Sequence, residues 1–339
     1  NTTVPSGHGY VGAPVAFGSG LDQTSSIVSG DFDGDGDLDL AVANTGEQNV
    51  VYLNNGDGSF GSPINFGTGS DGTWTMAAGD FDGDGDLDLA VANLNEQNVL
   101  YRNNGDGSFG NPVNFGTGSD ATFGLAWGDF DGDGNLDLAV SNATQQNVIY
   151  PNNGNGTFGS PVNFGTGSDY SSSLAWGDFD NDGDLDLAVA IVGGQNMLYP
   201  NNGDGTFGTA INFGTGSDNT YGLAWGDFDG DGDLDLAVGN PDEQNVIYPN
   251  NGDGSFSSGI NFGSGNDFTY SVAWGDFDGD GDLDLATGND GQNVVYPNNG
   301  DGSFGTGINI GTGSEYTYSL AWGDFDNDGD LDLAAGSDG

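Results

Sequence analysis

The chain has 339 residues, with 52 Asp or Glu against a single Lys or Arg, and a formal net charge of −51. Charge of that sign repels the phosphates of nucleic acid and anionic lipid headgroups alike, so metal cations are the partners it favours. No cysteine is present and no run of about 18 apolar residues occurs, which excludes a disulfide framework, thiol chemistry and a membrane-spanning helix.

The chain opens NTTVPSGHGYVGAPVAFG (1–18), with Asn rather than Met first, the expectation for a processed or trimmed form. From residue 30 it reads GDFDGDGDLDLAVAN, a unit that recurs with its first aspartate at Asp31, Asp80, Asp129, Asp178, Asp227, Asp276 and Asp324. Five spacings are 49 residues and the last is 48. Repeats of this length signal arrays, solenoids or propellers. Within a unit, a first apolar run such as SLAWGDFD (173–180) leads into the acidic stretch. LDLAVAN (38–44) follows with alternating Leu38, Leu40 and Val42, then QNVVYLN (48–54), the turn NGDG, and GSPINFG (61–67). Four short strands per unit with turn residues between them predict a propeller blade.

Aligned on the repeat, residues 1–18 match the third and fourth strands of a unit, and residues from about 319 onward supply only the first and second. The expectation is one all-β domain over 1–339: a seven-bladed β-propeller whose last blade is closed by both termini, leaving no free sheet edge.

The acidic stretch reads D-x-D-x-D-G-x-x-D. Its candidate metal ligands are Asp31, Asp33, Asp35, Asp37 and Asp39; Asp80, Asp82, Asp84, Asp86 and Asp88; and Asp129, Asp131, Asp133, Asn135 and Asp137. They continue as Asp178, Asp180, Asp182, Asp184 and Asp186; Asp227, Asp229, Asp231, Asp233 and Asp235; Asp276, Asp278, Asp280, Asp282 and Asp284; and Asp324, Asp326, Asp328, Asp330 and Asp332. Positions 1, 3, 5 and 9 offer carboxylates, position 6 is a turn glycine, and position 7 offers its backbone carbonyl. All-oxygen ligands on a flexible loop select Ca²⁺, about one ion per blade and seven in all. The first nine positions resemble an EF-hand loop, but position 12 is Val42 rather than Glu and strands flank it. A charge run is ordinarily a solvated face; sevenfold repetition at constant spacing argues for the metal.

The loop, followed by NNGDGSFG and then SP, resembles the FG-GAP (VCBS) repeat of integrin α-subunit propellers and of many exported microbial proteins. The signature stands as VGAP (11–14), FGSP (60–63), FGNP (109–112), FGSP (158–161) and FGTA (207–210), and decays to FSSG (256–259) and FGTG (304–307). The resemblance implies a seven-bladed propeller with calcium between the first and second strands of a blade. It implies roles in adhesion, sugar binding or scaffolding without choosing among them.

In an up-and-down blade the acidic loops and the NNGDGSF hairpins share one face, and the remaining connections share the other. Variation gathers on that second face. Aromatic residues stand there at one aligned position, Trp74, Phe123, Tyr221, Tyr270 and Tyr318, with Ser25 and Ser172 in the other two units; Tyr170, Phe268 and Tyr316 stand close by. Trp74, Phe123, Tyr170, Tyr221, Tyr270 and Tyr318 are candidate ligand-binding residues, since rings beside Asp, Asn and Gln suit sugar stacking; packing between blades is the competing use. Trp127, Trp176, Trp225, Trp274 and Trp322 lie inside the first strand and are expected in the core.

Catalysis is poorly supplied. One His (His8), one Arg (Arg102) and no Lys or Cys leave no nucleophile–base pair. The four glutamates, Glu47, Glu96, Glu243 and Glu315, fall in different units. The expected function is an extracellular, calcium-stabilised propeller acting as a multivalent carbohydrate-binding or adhesion module, with neutral glycans or a cell-surface glycoconjugate as partner. A scaffold or recently amplified or engineered array with no ligand beyond calcium is the alternative, and a polysaccharide-degrading enzyme is the least supported. Calcium-rich surroundings outside the cell follow from the weak affinity of exposed loop sites, about 10⁻⁴ to 10⁻³ M. Sequons at Asn1, Asn142 and Asn155 matter only in a eukaryotic secretory host.

Overall fold

The computed structural model describes residues 14–18, 22–69, 71–215, 219–265 and 267–338, apart from the side chains of residues 314 and 315. All regular structure among these residues is β. The first sheet holds β1 (Thr24–Gly30), β2 (Asp39–Asn44), β3 (Asn49–Tyr52) and β4 (Ile64–Phe66). The second holds β5 (Thr73–Gly79), β6 (Asp88–Asn93), β7 (Asn98–Tyr101) and β8 (Val113–Phe115). The third holds β9 (Thr122–Gly128), β10 (Asp137–Asn142), β11 (Asn147–Tyr150) and β12 (Val162–Phe164). The fourth holds β13 (Tyr170–Gly177), β14 (Asp186–Val192), β15 (Asn196–Tyr199) and β16 (Ile211–Phe213). The fifth holds β17 (Gly222–Gly226), β18 (Asp235–Gly239), β19 (Asn245–Tyr248) and β20 (Ile260–Phe262), and the sixth β21 (Thr269–Gly275), β22 (Asp284–Tyr296), β23 (Ile308–Gly323) and β24 (Asp332–Asp338). Every sheet is an antiparallel meander in chain order.

The expected seven blades are therefore corrected to six four-stranded sheets among the described residues. The difference arises in the last sheet. There β22 runs 13 residues through what are two strands elsewhere, and β23 runs 16 residues from a fourth-strand sequence (INI) into a first-strand one (YSLAWG). The seventh acidic motif thus sits in the β23–β24 hairpin of the sixth sheet, not in a blade of its own. The closing strands expected in the N-terminal segment, with VGAP (11–14) and His8, fall largely outside the described residues, and 14–17 carry no strand.

The second strand of a sheet explains the packing. DLAVAN is buried throughout in β2 and β6. Its alternation places alanines on one side and Leu and Val on the other. Ala41 and Ala43 accordingly meet Leu89 and Val91 of the second sheet, while Ala90 and Ala92 meet Leu138 and Val140 of the third. Small against large fills the space between sheets without voids. The same rule joins the ends, since Leu40 and Val42 pack with Ala334 and Phe325. Ser319 Oγ, in turn, accepts the Ile27 N–H and donates to the Ile27 carbonyl, at 3.1 and 3.2 Å.

The strand-interior tryptophans behave as expected. The Trp127, Trp176, Trp225, Trp274 and Trp322 indoles pack against the buried clusters. Each donates its Nε1–H to an alanine carbonyl of the preceding first strand, for example Trp176 to Ala126 at 3.3 Å. Glycine in the AWGDFD motif makes room for this: a Cβ on Gly128 would stand 2.7 Å from the Trp176 indole.

Candidate functional site: acidic loops and an axial aromatic collar

First strands pack against first strands around the axis and run from one end of the molecule to the other. The acidic loops follow their last residues. In the first loop Asp31 folds the chain back on itself, its carboxylate accepting N–H groups from Gly34 (2.7 Å) and Gly36 (3.0 Å). Gly34 and Gly36 have φ of 76° and 98°, the left-handed region. Asn181 and Asn327 occupy the position of Gly34 in two later loops with φ of 59°, and asparagine is the side chain best able to replace glycine there.

Position 9 is the anchor. Asp39 is fully buried and accepts N–H groups from Phe32 and Asn54, each at 2.8 Å, tying the loop to the strand-3 hairpin. Asp137 does the same with Phe130 (2.8 Å) and Asn152 (2.6 Å). Burial pushes the carboxyls of Asp39, Asp88, Asp137, Asp186, Asp235 and Asp284 up to about 6, against the backbone hydrogen bonds that hold them down. The position-3 carboxyls are also raised, Asp33 by burial and then by repulsion from Asp35.

Positions 1, 3 and 9 converge. Asp31, Asp33 and Asp39 each bring an oxygen within 4.8 Å of the others, as do Asp80, Asp82 and Asp88; Asp129, Asp131 and Asp137; Asp178, Asp180 and Asp186; and Asp227, Asp229 and Asp235, with two further sets among the described residues. The fit to a hard cation rests on oxygens with nothing to bind: buried carboxylate atoms of Asp82, Asp178, Asp180 and Asp229 have no hydrogen-bond partner. An uncompensated buried carboxylate oxygen is costly, and a divalent ion would satisfy it. Positions 5 and 7 do not join these sets. Asp35 accepts the Asp37 N–H at 2.9 Å. The Asp37 side chain instead turns to the neighbouring hairpin, accepting from Asn327 Nδ2 at 2.7 Å, as Asp233 does from Asn181 at 2.6 Å.

At the opposite end of the first strands, six residues or about 20 Å from the loops, the candidate ligand-binding aromatics meet. Trp74, Phe123, Tyr221, Tyr270 and Tyr318, with Ser25 and Ser172, line one axial cavity of about 190 Å³. Ring centroids are 5.3 Å apart for Trp74–Phe123, 5.8 Å for Tyr221–Tyr270, 5.0 Å for Tyr270–Tyr318 and 6.1 Å for Trp74–Tyr318. Trp74 and Tyr318 thus meet across the gap left by Ser25. Tyr170 stands 4.8 Å from Phe123 on the side of Ser172. Burial, followed by Tyr221, raises its phenol to about 12. The rings pack across neighbouring sheets, which is the competing use foreseen for them, and five of them also line a cavity. Phe268 and Tyr316 remain 41% and 44% exposed.

The structure also reveals repeated peripheral pockets that sequence reasoning passed over. Asn44, Glu47, Gln48, Val50 and Tyr52 line one of about 400 Å³, and the corresponding Asn240, Glu243, Gln244, Val246 and Tyr248 line another of about 280 Å³. The signal lay in the recurring EQNV between second and third strands. A hydrogen bond with Asp22 holds the Glu47 carboxyl above its ordinary range.

Among solved structures, a lectin of Agrocybe aegerita, described for specific recognition of non-reducing terminal N-acetylglucosamine, is similar at 22% identity and a TM-score of 0.62, covering 86% of this chain and 81% of that one. BBS1N in complex with ARL6DN is similar at 14% identity and 0.63, covering 94% and 95%. Raptor of Chaetomium thermophilum is similar at 13% and 0.62, covering 94% of this chain and 27% of that one. These likenesses establish the propeller fold. No curated protein sequence matches. The FG-GAP-like repeat matches six segments, 31–91, 80–140, 130–189, 180–238, 227–287 and 276–335. Six matched repeats agree with six sheets, and their span makes this chain a member of the FG-GAP-like repeat family.

Proposed function

We propose that this protein is a non-catalytic, calcium-stabilised propeller, working outside the cell, that binds neutral glycans on the end opposite its acidic loops. The observation that carries the glycan reading is the convergence of five of the six predicted aromatic residues, Trp74, Phe123, Tyr221, Tyr270 and Tyr318, with Ser25 and Ser172 at one axial mouth, Tyr170 packing beside Phe123. Rings supply apolar stacking area, and the hydroxyls and backbone around them orient a polyol. The lectin likeness supports this at the level of fold. Multivalency, if glycans are bound at equivalent positions, belongs to the peripheral pockets rather than to the collar. Their shared Asn, Glu, Gln and Tyr supply hydrogen bonds beside an apolar wall. Calcium is supported by the converging carboxylates and their partnerless buried oxygens. When bound, it would supply charge compensation that lets each loop fold back on its own strand; Asp31, Asp33 and Asp39 and their counterparts would hold it.

A second reading, a scaffold with no ligand beyond calcium, is favoured by the close ring-to-ring packing, which uses much of the aromatic surface internally. A neutral-glycan array on calcium-loaded protein separates the two. Binding that Trp74→Ala or Tyr270→Ala abolishes places the site in the collar. Binding that survives both variants but falls with Gln244→Ala places it in the peripheral pockets. No binding to any glycan leaves the scaffold.

A further inference from the structure

Arg102 is the only Lys or Arg in a chain of net charge −51. The residues aligned with it just before the hairpin asparagine are Leu53, Pro151, Pro200, Pro249 and Pro297, none of which carries charge. Its guanidinium does not wander over the surface. Nε stands 3.7 Å from Asp82 Oδ2, Nη2 donates to the Gly156 carbonyl of the next hairpin, and the guanidinium carbon lies 5.8 Å from the centre of the Phe81 ring. Asp82 is position 3 of the second acidic loop, one of the three carboxylates that converge there. Its two oxygens are divided: Oδ2 faces Arg102, and Oδ1 is buried without a hydrogen-bond partner.

We propose that Arg102 is a resident cation that does part of a metal's work at the second loop, making this loop the least calcium-dependent of the seven and its ion the most weakly held. The proposal rests on the calcium reading above and deepens it. Without metal, the loops bring like charges together, and among the described residues only the second has a positive group to offset them. With metal, that same positive group repels the divalent ion and competes for one carboxylate. Both effects follow from one charge, so by linkage the gain without calcium and the loss with it are two sides of the same equilibrium. A unit charge acting on a divalent ion several ångströms away through a solvent-like dielectric changes affinity by about tenfold.

The test uses the full chain stripped of metal. Equilibrium dialysis against ⁴⁵Ca²⁺ is run beside hydrogen exchange in EDTA, comparing amides of 80–88 with those of 129–137, and both are repeated on Arg102→Leu. Leucine stands at the equivalent position in the first unit, so the variant is compatible with the fold. The expected result is one site about tenfold weaker than the rest, and stronger protection of 80–88 than of 129–137 in EDTA; Arg102→Leu removes both differences and Arg102→Lys keeps them in part. Uniform sites in the parent, or an isotherm and protection pattern that Arg102→Leu leaves unchanged, overturn the proposal while the calcium reading stands. Absence of any calcium binding overturns both.

Discussion

Replacing Asp137 with asparagine separates the two jobs of a position-9 carboxylate. In calcium-free protein at pH 7 the native state must hold this buried group ionised although its pKa is pushed to about 6. Against an ordinary 3.8, that is a cost of about 3 kcal/mol at 1.36 kcal/mol per unit. Asparagine removes the cost, but it turns one acceptor into an NH₂ facing the N–H of Phe130 or Asn152, both now within 2.8 Å. An unsatisfied buried donor costs about 1–3 kcal/mol, so the two changes nearly cancel. In calcium the balance differs, because a third of the converging carboxylates is lost. At a free concentration a hundredfold above the dissociation constant, an occupied site stabilises by about 2.7 kcal/mol, and the variant forfeits most of it. Urea midpoints in EDTA and in millimolar calcium read the difference. The expected outcome is a near-neutral substitution in EDTA and a loss of about 3 kcal/mol in calcium. Equal costs in both conditions would refute the argument, leaving Asp137 a purely internal hydrogen-bond acceptor.

Three further outcomes follow. Six position-9 carboxyls are raised in the folded state, so their contribution is fully present below about pH 4 and is lost as pH rises through about 6. Metal-free protein should therefore have a higher urea midpoint at pH 4.5 than at pH 7, and a midpoint that rises with pH in EDTA sinks the idea. Gly128→Ala forces a Cβ to 2.7 Å from the Trp176 indole and should destabilise by about 1–3 kcal/mol in the same assay; a neutral result would mean the sheets slide apart freely. In a eukaryotic secretory host, intact-mass analysis of the region 100–200 should show a glycan at Asn155, which is exposed in a hairpin, and none at Asn142, which is 3% exposed within β10.

The four strands of each unit and the clustering of carboxylates at positions 1, 3 and 9 were legible because both repeat at constant spacing, and alternation in LDLAVAN fixes which side chains face which sheet. The number of sheets was not. It turns on whether the stretches around Gly291 and Gly313 break the ladder, and β22 and β23 run through both. Positions 5 and 7 resembled ligands by analogy with an EF-hand loop. Asp35 instead accepts the Asp37 N–H within its own loop, and Asp37 is drawn to Asn327 in the acidic loop of another sheet, a long-range contact that spacing does not encode. The aromatics were legible as a group on one end. Their gathering into a single collar depends on the first strand lying nearest the axis, which brings equivalent residues of different units within 5–6 Å of one another.

The hairpin asparagines carry one last consequence. Asn103 Nδ2 donates to the Phe32 carbonyl in the loop of the preceding sheet, and Asn152, Asn201 and Asn250 repeat this with Phe81, Phe130 and Phe179, each clasp spanning 71 residues of chain. Asn54 makes the same bond to Phe325 at 2.7 Å, but across 271 residues. Chemically the clasps are identical; to the unfolded chain they are not. Closing the longer loop costs about 1.2 kcal/mol more entropy by the logarithmic law. Among the described residues the molecule therefore has a seam, where side-chain bonds and one short bridge between Gln23 and Asp338 hold what continuous backbone holds elsewhere, and a ring opened by force, heat or chelation should part there first. A permuted chain that joins the old ends and starts between two other sheets would carry its seam to the new break.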